Sequence, residues 1–297
     1  KNNSLISRRF KIRNSTEEEM KNCLYLVILC AAPLTIAYGA DPETKTFSAA
    51  GLNGISALTE AGAVSLEGGA KGEIRVEITN NEPDKCVLTM KAEGERLVLR
   101  AETGPAVGSA AKQGFFKSVF SLFSGLRNAS GCRAGFKIYA PASLQLKANA
   151  GSGAIKVSAM SGDVTAENGS GGISLENLTG SVSAENGSGG ISGSACAKSL
   201  RVRTGSGGID LSGLCGEASA KAGSGSIVLR WAQAPVSGEA RAEAGSGSVT
   251  LLFPERTDIK TSLHCGSGRV TNEFPGGGKF PVSVETGSGS ISILKAK

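Results

Sequence analysis

Gly169-Ser170-Gly171-Gly172-Ile173-Ser174-Leu175, followed nine residues after Ile173 by Val182-Ser183-Ala184, decides the fold. The stretch belongs to a series. Gly-Ser-Gly occurs eight times, starting at Gly151, Gly169, Gly187, Gly205, Gly223, Gly245, Gly266 and Gly287, and the first five starts lie 18 residues apart. A fixed period of this size is the signature of a stacked-repeat architecture. Six of the eight lead into an alternating apolar pair: Ile155/Val157, Ile173/Leu175, Ile209/Leu211, Ile227/Leu229, Val249/Leu251 and Ile291/Ile293. Half a period later comes a second set: Val164/Ala166, Val182/Ala184, Leu200/Val202, Ala218/Ala220 and Ala240/Ala242. Two-residue spacing puts both members of a pair on one strand face. The unit is a nine-residue half-repeat, a glycine-centred turn plus a short strand, and two halves make one 18-residue coil. Gly162, Gly180, Gly216 and Gly238 mark the intermediate turns, where glycine is expected for its access to positive φ.

A single coil offers four inward apolar side chains, one pair of them mostly Val and Ala, and cannot hold a core by itself. Stacking at about 4.8 Å per coil merges these pairs into one column. The small residues opposite Ile and Leu predict a narrow, flattened interior. The expected class is all-β, a β-helix or solenoid with 18-residue coils. A meander of β-hairpins or a sandwich is the competing geometry. Aromatic residues make up 5% and hydrophobic residues 40% of the chain, enough for an ordinary core.

Upstream, the strand signals are less regular. Phe47–Leu66 alternates weakly, Glu73–Ile78 alternates cleanly, and Val87–Lys91 with Arg96–Arg100 read as hairpin arms around Gly94. Phe136–Tyr139 is a further strand, and Leu144/Leu146 leads into the first Gly-Ser-Gly. Between them Phe115, Phe116, Phe120 and Phe123 recur at helical spacing, so residues 112–128 are expected to form a short amphipathic helix. Its expected role is a cap or lid over exposed core and strand edges; a partner-binding or membrane-surface helix is the alternative.

Met20, Lys21 and the apolar run through Ile36 read as a secretory leader, residues 20–39, with residues 1–19 a non-native upstream extension. Cleavage is expected between Gly39 and Ala40, with small residues Ala37 and Gly39 at the recognition positions. The run is too short for a membrane span of about 20 residues. Residues 40–146 then form the strand-rich start of the domain, and 147–297 the regular repeat. The net charge of +6 is half carried by residues 1–39. No basic patch with interleaved aromatics occurs in the repeats, which argues against nucleic acid.

Beyond the leader stand Cys86, Cys132, Cys196, Cys215 and Cys265. Export permits disulfides. Cys196 and Cys215 are 19 residues apart, about one coil, and are the best candidate pair; burial as two small hydrophobes is the alternative. An odd count leaves at least one thiol unpaired.

The run Ile138-Tyr139-Ala140-Pro141-Ala142-Ser143-Leu144-Gln145-Leu146, then Gly151-Ser152-Gly153-Ala154-Ile155-Lys156-Val157, then recurrent Gly-x-Val and Gly-Ser-Gly-x-Ile units, resembles the bacterial putative-adhesin family of β-strand-repeat domains of unknown function. It is also similar to the head domains of auto-transporter adhesins. The likeness covers roughly Phe47 to Leu294, and the phenylalanine-rich insert departs from it. The resemblance implies a secreted or surface-exposed right-handed β-helix without catalytic machinery.

Chemistry is sparse in the residues themselves. His264 is the only histidine, and no serine or cysteine triad surrounds it. Glu167 and Glu185 occupy equivalent positions one coil apart, near the separation a retaining glycosidase uses, but no aromatic platform for a sugar accompanies them. No C-x-x-C or His/Cys cluster suggests zinc. Calcium β-roll repeats need an Asp in nearly every turn, and Asp210 is alone among Lys156, Ser174, Ser192, Val228 and Thr250. Gly276–Phe280 lacks the features of a phosphate-binding loop. No catalytic residue, metal or cofactor is therefore expected. The candidate binding surface is a hydroxyl ladder of Ser152, Ser170, Ser188, Ser206 and Ser224. The expected function is a non-enzymatic exported scaffold or adhesin-like module of the bacterial envelope, contacting a surface glycan or an envelope protein. An envelope-stress or sensing accessory domain is the alternative, and a polysaccharide hydrolase a third.

Overall fold

Val, Ile, Leu and Ala alternating with polar residues give short strands, each bounded by a glycine turn. In the computed structural model, residues 43–104, 131–274 and 276–296 are described. They belong to one compact unit, Pro42–Lys297. The leader, its Gly39/Ala40 boundary and the phenylalanine-rich segment with Phe115, Phe116, Phe120 and Phe123 lie outside the described residues.

Successive coils contribute one strand to each of two sheets. The regular coils are β8 (Gln145–Ala150) with β9 (Ile155–Ser158), β10 (Val164–Asn168) with β11 (Ile173–Leu178), and β12 (Val182–Asn186) with β13 (Ile191–Ala195). They continue as β14 (Ser199–Thr204) with β15 (Ile209–Leu214), β16 (Glu217–Ala222) with β17 (Ile227–Trp231), and β18 (Ala240–Ser246) with β19 (Val249–Pro254). Neighbouring strands of these coils are parallel and aligned: Ile155, Ile173 and Ile191 in one sheet, Val164 and Val182 in the other. Hairpin meanders require antiparallel neighbours, so that alternative is overturned.

The alternating pairs all face inward. Val157, Leu175, Leu211, Leu229, Ala166, Ala184 and Ala242 are fully buried. Burial of each Val, Leu or Ile side chain is worth about 1.5–3 kcal/mol, and most of that area is covered by the coils above and below. Toward one end the column is broadened by Trp231 stacked on Phe253, ring centroids 4.2 Å apart, with Phe274 and Phe280 edge-on to Phe253.

Chain order and spatial order part at both ends. β2 (Gly54–Thr59) and β3 (Val64–Gly68) form the first coil, yet this coil lies between β8/β9 on one side and β6 (Arg96–Thr103) with β7 (Gly135–Ala140) on the other. Beyond it, β4 (Glu73–Thr79) pairs antiparallel with β7 and with β1 (Thr44–Ser48), and β5 (Cys86–Glu93) pairs antiparallel with β6. Gly94 turns that hairpin with φ +58°. At the opposite end, β22 (Phe280–Ser288) and β23 (Ile291–Ala296) insert between β18/β19 and the earlier coil β20 (Ile259–Ser267) and β21 (Val270–Asn272).

The glycines act differently from expectation. Of the intermediate turns only Gly238 has positive φ, +85°. At Gly162 a Cβ would lie 2.2 Å from the Leu144 carbonyl oxygen, and at Gly180 2.3 Å from that of Gly162. The third position of Gly-Ser-Gly is equally closed: a Cβ on Gly171 would sit 2.1 Å from Gly153 O, and one on Gly189 2.0 Å from Gly171 O. Axial stacking of backbone on backbone, rather than φ, excludes a side chain there. Gly172 is the contrast, with its nearest atom 3.9 Å from a Cβ. Gly189→Ala is therefore expected to destabilise by at least about 2 kcal/mol, whereas Gly172→Ala is neutral or stabilising by up to about 1 kcal/mol through unfolded-state entropy. Paired urea titrations read both.

Candidate binding surface

Where the chain turns from one sheet to the other, Gly-Ser-Gly forms a corner, and identical corners stack. The Ser170 amide donates to Gly151 O, Ser188 to Gly169 O, Ser206 to Gly187 O and Ser224 to Gly205 O, each at 3.1 Å. This backbone ladder fixes the serines at one coil spacing, about 4.8 Å. Ser152, Ser170, Ser188, Ser206 and Ser224 are all exposed, so the structure brings the five together as one column along a corner.

Beneath the serines lies a set of residues that the pattern reading passed over. Asn168 and Asn186 share the inward parity of Val164/Ala166 and Val182/Ala184, and they are buried. Asn186 Nδ2 donates to Gly171 O at 2.7 Å and Gly190 O at 3.2 Å, while its Oδ1 accepts from the Gly189 amide at 3.1 Å. Asn168 makes the equivalent bonds to Gly153, Gly172 and Gly171. Thr204 takes the same place one coil on, donating to Gly189 O at 2.9 Å and accepting from the Gly207 amide. Each of these side chains ties its own turn to the turn of the coil before, satisfying corner groups no strand reaches. The signal was legible: Glu-Asn-Gly-Ser-Gly stands at residues 167–171 and again at 185–189, with a polar residue at an inward position.

Glu167 and Glu185 pair in register on β10 and β12, facing solvent. The same outer column continues with Arg203, Lys221, Glu243 and Glu285. The two carboxylates thus begin a mixed charge ladder on an open sheet face. Further along it, hydrogen bonds from Lys221 at 2.9 Å and Arg241 at 2.6 Å hold the Glu243 carboxyl below the usual carboxylate range. His264 faces outward in register with Glu285, and its neighbour Cys265 points to the core side, so the two do not meet. Among the described residues no group of three or more His, Cys, Asp or Glu side chains converges on a metal-sized space, and no helix is long and apolar enough to cross a membrane.

Cys196 is bonded to Cys215 on the next coil, with 5.0 Å between Cα atoms. A second disulfide, Cys86–Cys132, closes a separation of 46 residues between β5 and the approach to β7. No spacing rule pairs those two, because the hairpin that brings them together is not periodic. Cys265 is free.

The succession of Gly-Ser-Gly corners and inward pairs matches the Toastrack DUF4097 family over residues 55–293. The chain belongs to this family. The matched span runs from the inserted first coil to the inserted last one. Among solved structures, the chain is similar to a putative cell adhesion protein from Clostridium sporogenes, at 16% identity and a TM-score of 0.27, covering 86% of this chain and 100% of that one. It is also similar to a putative adhesin from Bacteroides fragilis, at 14% identity and a TM-score of 0.46, covering 87% and 98%. A putative lipid binding protein from Parabacteroides distasonis gives 19% identity and a TM-score of 0.43, covering 87% and 98%. No curated protein matches the chain.

Serine and asparagine at one corner are expected to separate on mutation. Asn186→Ala leaves buried backbone groups unpaired and costs about 1–3 kcal/mol, whereas Ser188→Ala stays within about 0.5 kcal/mol of the parent. Chemical denaturation with an unchanged m-value checks both.

Proposed function

We propose that this protein is a non-enzymatic, exported, adhesin-like scaffold of the bacterial cell envelope, and that it engages a hydroxyl-rich surface glycan through its serine corner. One observation carries the reading: exposed hydroxyls held at a constant interval by a backbone ladder. A single hydrogen bond to such a polymer contributes only about 0.5–1.5 kcal/mol net. Several on one ligand add as linked contacts, provided the scaffold holds their spacing. The stacked glycine backbone and the buried asparagines supply that rigidity. The disulfides Cys86–Cys132 and Cys196–Cys215 support export, since such bonds persist in oxidising compartments.

The carboxylate pair fits this reading better than hydrolysis. Glu167 and Glu185 stand exposed side by side on an outer sheet face, with the cation Arg203 next in their column. Purified envelope polysaccharides immobilised on a sensor surface provide the test. Replacing Ser170, Ser188 and Ser206 together by Ala is expected to weaken retention roughly tenfold or more without changing the melting temperature. Equal retention by the parent and the triple variant would remove the serine column from the reading. Release of reducing ends that disappears in a Glu167→Gln/Glu185→Gln variant would replace the scaffold by a hydrolase.

A further inference from the structure

The two ends of the ladder are finished differently. At one, antiparallel β4 and β1 extend one sheet and antiparallel β5 extends the other, with Cys86–Cys132 joining β5 to the approach to β7. At the other, β20 pairs only with β22 and β21 only with β23. Their outer backbone edges have no strand partner among the described residues, and an open edge is a template for another strand. The core-side residues of this last rung are Thr261, Leu263 and Cys265 on β20, with Val270 and Asn272 on β21. Asn272 Nδ2 donates to Thr261 Oγ1 at 3.2 Å, which fixes the residues that face each other across the interior. Two residues nearer the connecting turn on each strand, Leu263 faces Val270. Leu263 is only partly buried, and Val270 is 46% exposed, although its register partner Ile291 is fully buried. Stacked repeats need a polar or covered terminal rung, and this one leaves two apolar side chains open.

We propose that this end is a self-association surface on which a second copy of this chain docks end to end. The twofold axis passes through Leu263 and Val270, so that β20 and β21 each pair antiparallel with their own counterparts. The rung is self-complementary about that axis. Leu263 meets Leu263 and Val270 meets Val270, closing both apolar gaps with one operation, as an isologous contact requires. Lys260 comes opposite Gly266, Ser262 opposite His264, and Thr271 opposite Arg269, so no like charges oppose each other across the new pairs. The contact is one rung wide, so the dimer is weak and concentration-dependent.

The register gives the test. Thr261 of one copy faces Cys265 of the other, whereas Cys265 and its own counterpart are about 13 Å apart along the strand direction. In the full chain under mild oxidation, Thr261→Cys is expected to yield a disulfide-linked dimer on a non-reducing gel. Ser262→Cys, on the outer face, does not. Sedimentation velocity on the unmodified chain is expected to show a monomer–dimer equilibrium that Val270→Lys weakens roughly tenfold or more, with far-UV circular dichroism confirming that each variant is folded. Folded protein that stays monomeric at submillimolar concentration overturns the proposal. So does a folded Thr261→Cys variant that fails to link, or a native chain that links through Cys265 to itself. Serine-corner variants leave the equilibrium untouched, which separates this result from the glycan reading.

Discussion

The structure depends on how closely one turn sits on the next. Carbonyl oxygens of one coil occupy the space where a Cβ of the following coil would be, at Gly171, Gly189, Gly207 and Gly225 in turn. That approach sets the coil spacing, and the spacing sets everything else. It brings the inward pairs into contact along the column, aligns the amide ladder at the corner, and places Asn168 and Asn186 within reach of the preceding turn. Apolar burial supplies most of the free energy, but the glycines decide that it is gathered by parallel coils rather than by some other packing of the same residues.

The interior is consequently thin, and it tolerates little variation. One wall is mostly Ala and Val, the other Ile and Leu. Where the second wall loses a side chain at Gly193, the backbone has φ +139°, and the Leu175 carbonyl lies where a Cβ would go. Larger rings cluster toward one end, where Trp231, Phe253, Phe274 and Phe280 meet and the connections between coils lengthen, while Phe136 is buried near the other. Trp231 still finds a polar partner, donating from Nε1 to Gly216 O at 3.0 Å. The charged residues remain on the outer faces, where the Lys221–Glu243–Arg241 group is open to solvent and contributes little.

Much of this was legible in the sequence because its signals are periodic. Alternation at Ile173/Leu175 and Val182/Ala184 identifies strand, face and coil together, and Cys196 and Cys215 fall one coil apart. Three things were not legible, for separate reasons. The role of the glycines was misassigned because a close contact between coils and a positive φ leave the same letter in the sequence. The Asn168/Asn186 ties left a visible repeat, Glu-Asn-Gly-Ser-Gly, but the repeat alone does not name the turn carbonyls and amides these side chains bond. The placement of β2/β3 and β22/β23 inside the stack leaves no local trace, since a strand's side chains look alike whether its neighbour comes before or after it in the chain. The serine column was found by counting, and its exposure follows from the parity of Ser170 relative to Ile173.

The insertion of β22 and β23 changes how the molecule gives way under tension. A stack assembled in chain order peels coil by coil from its free end, each step losing one interface. Here residues 280–296 are held between two coils, and withdrawing them breaks pairing on both sides at once, leaving β20 and β21 without a strand neighbour among the described residues. The first step of unravelling at that end is thus the largest. Under a pulling force, this converts a zipper into a clasp.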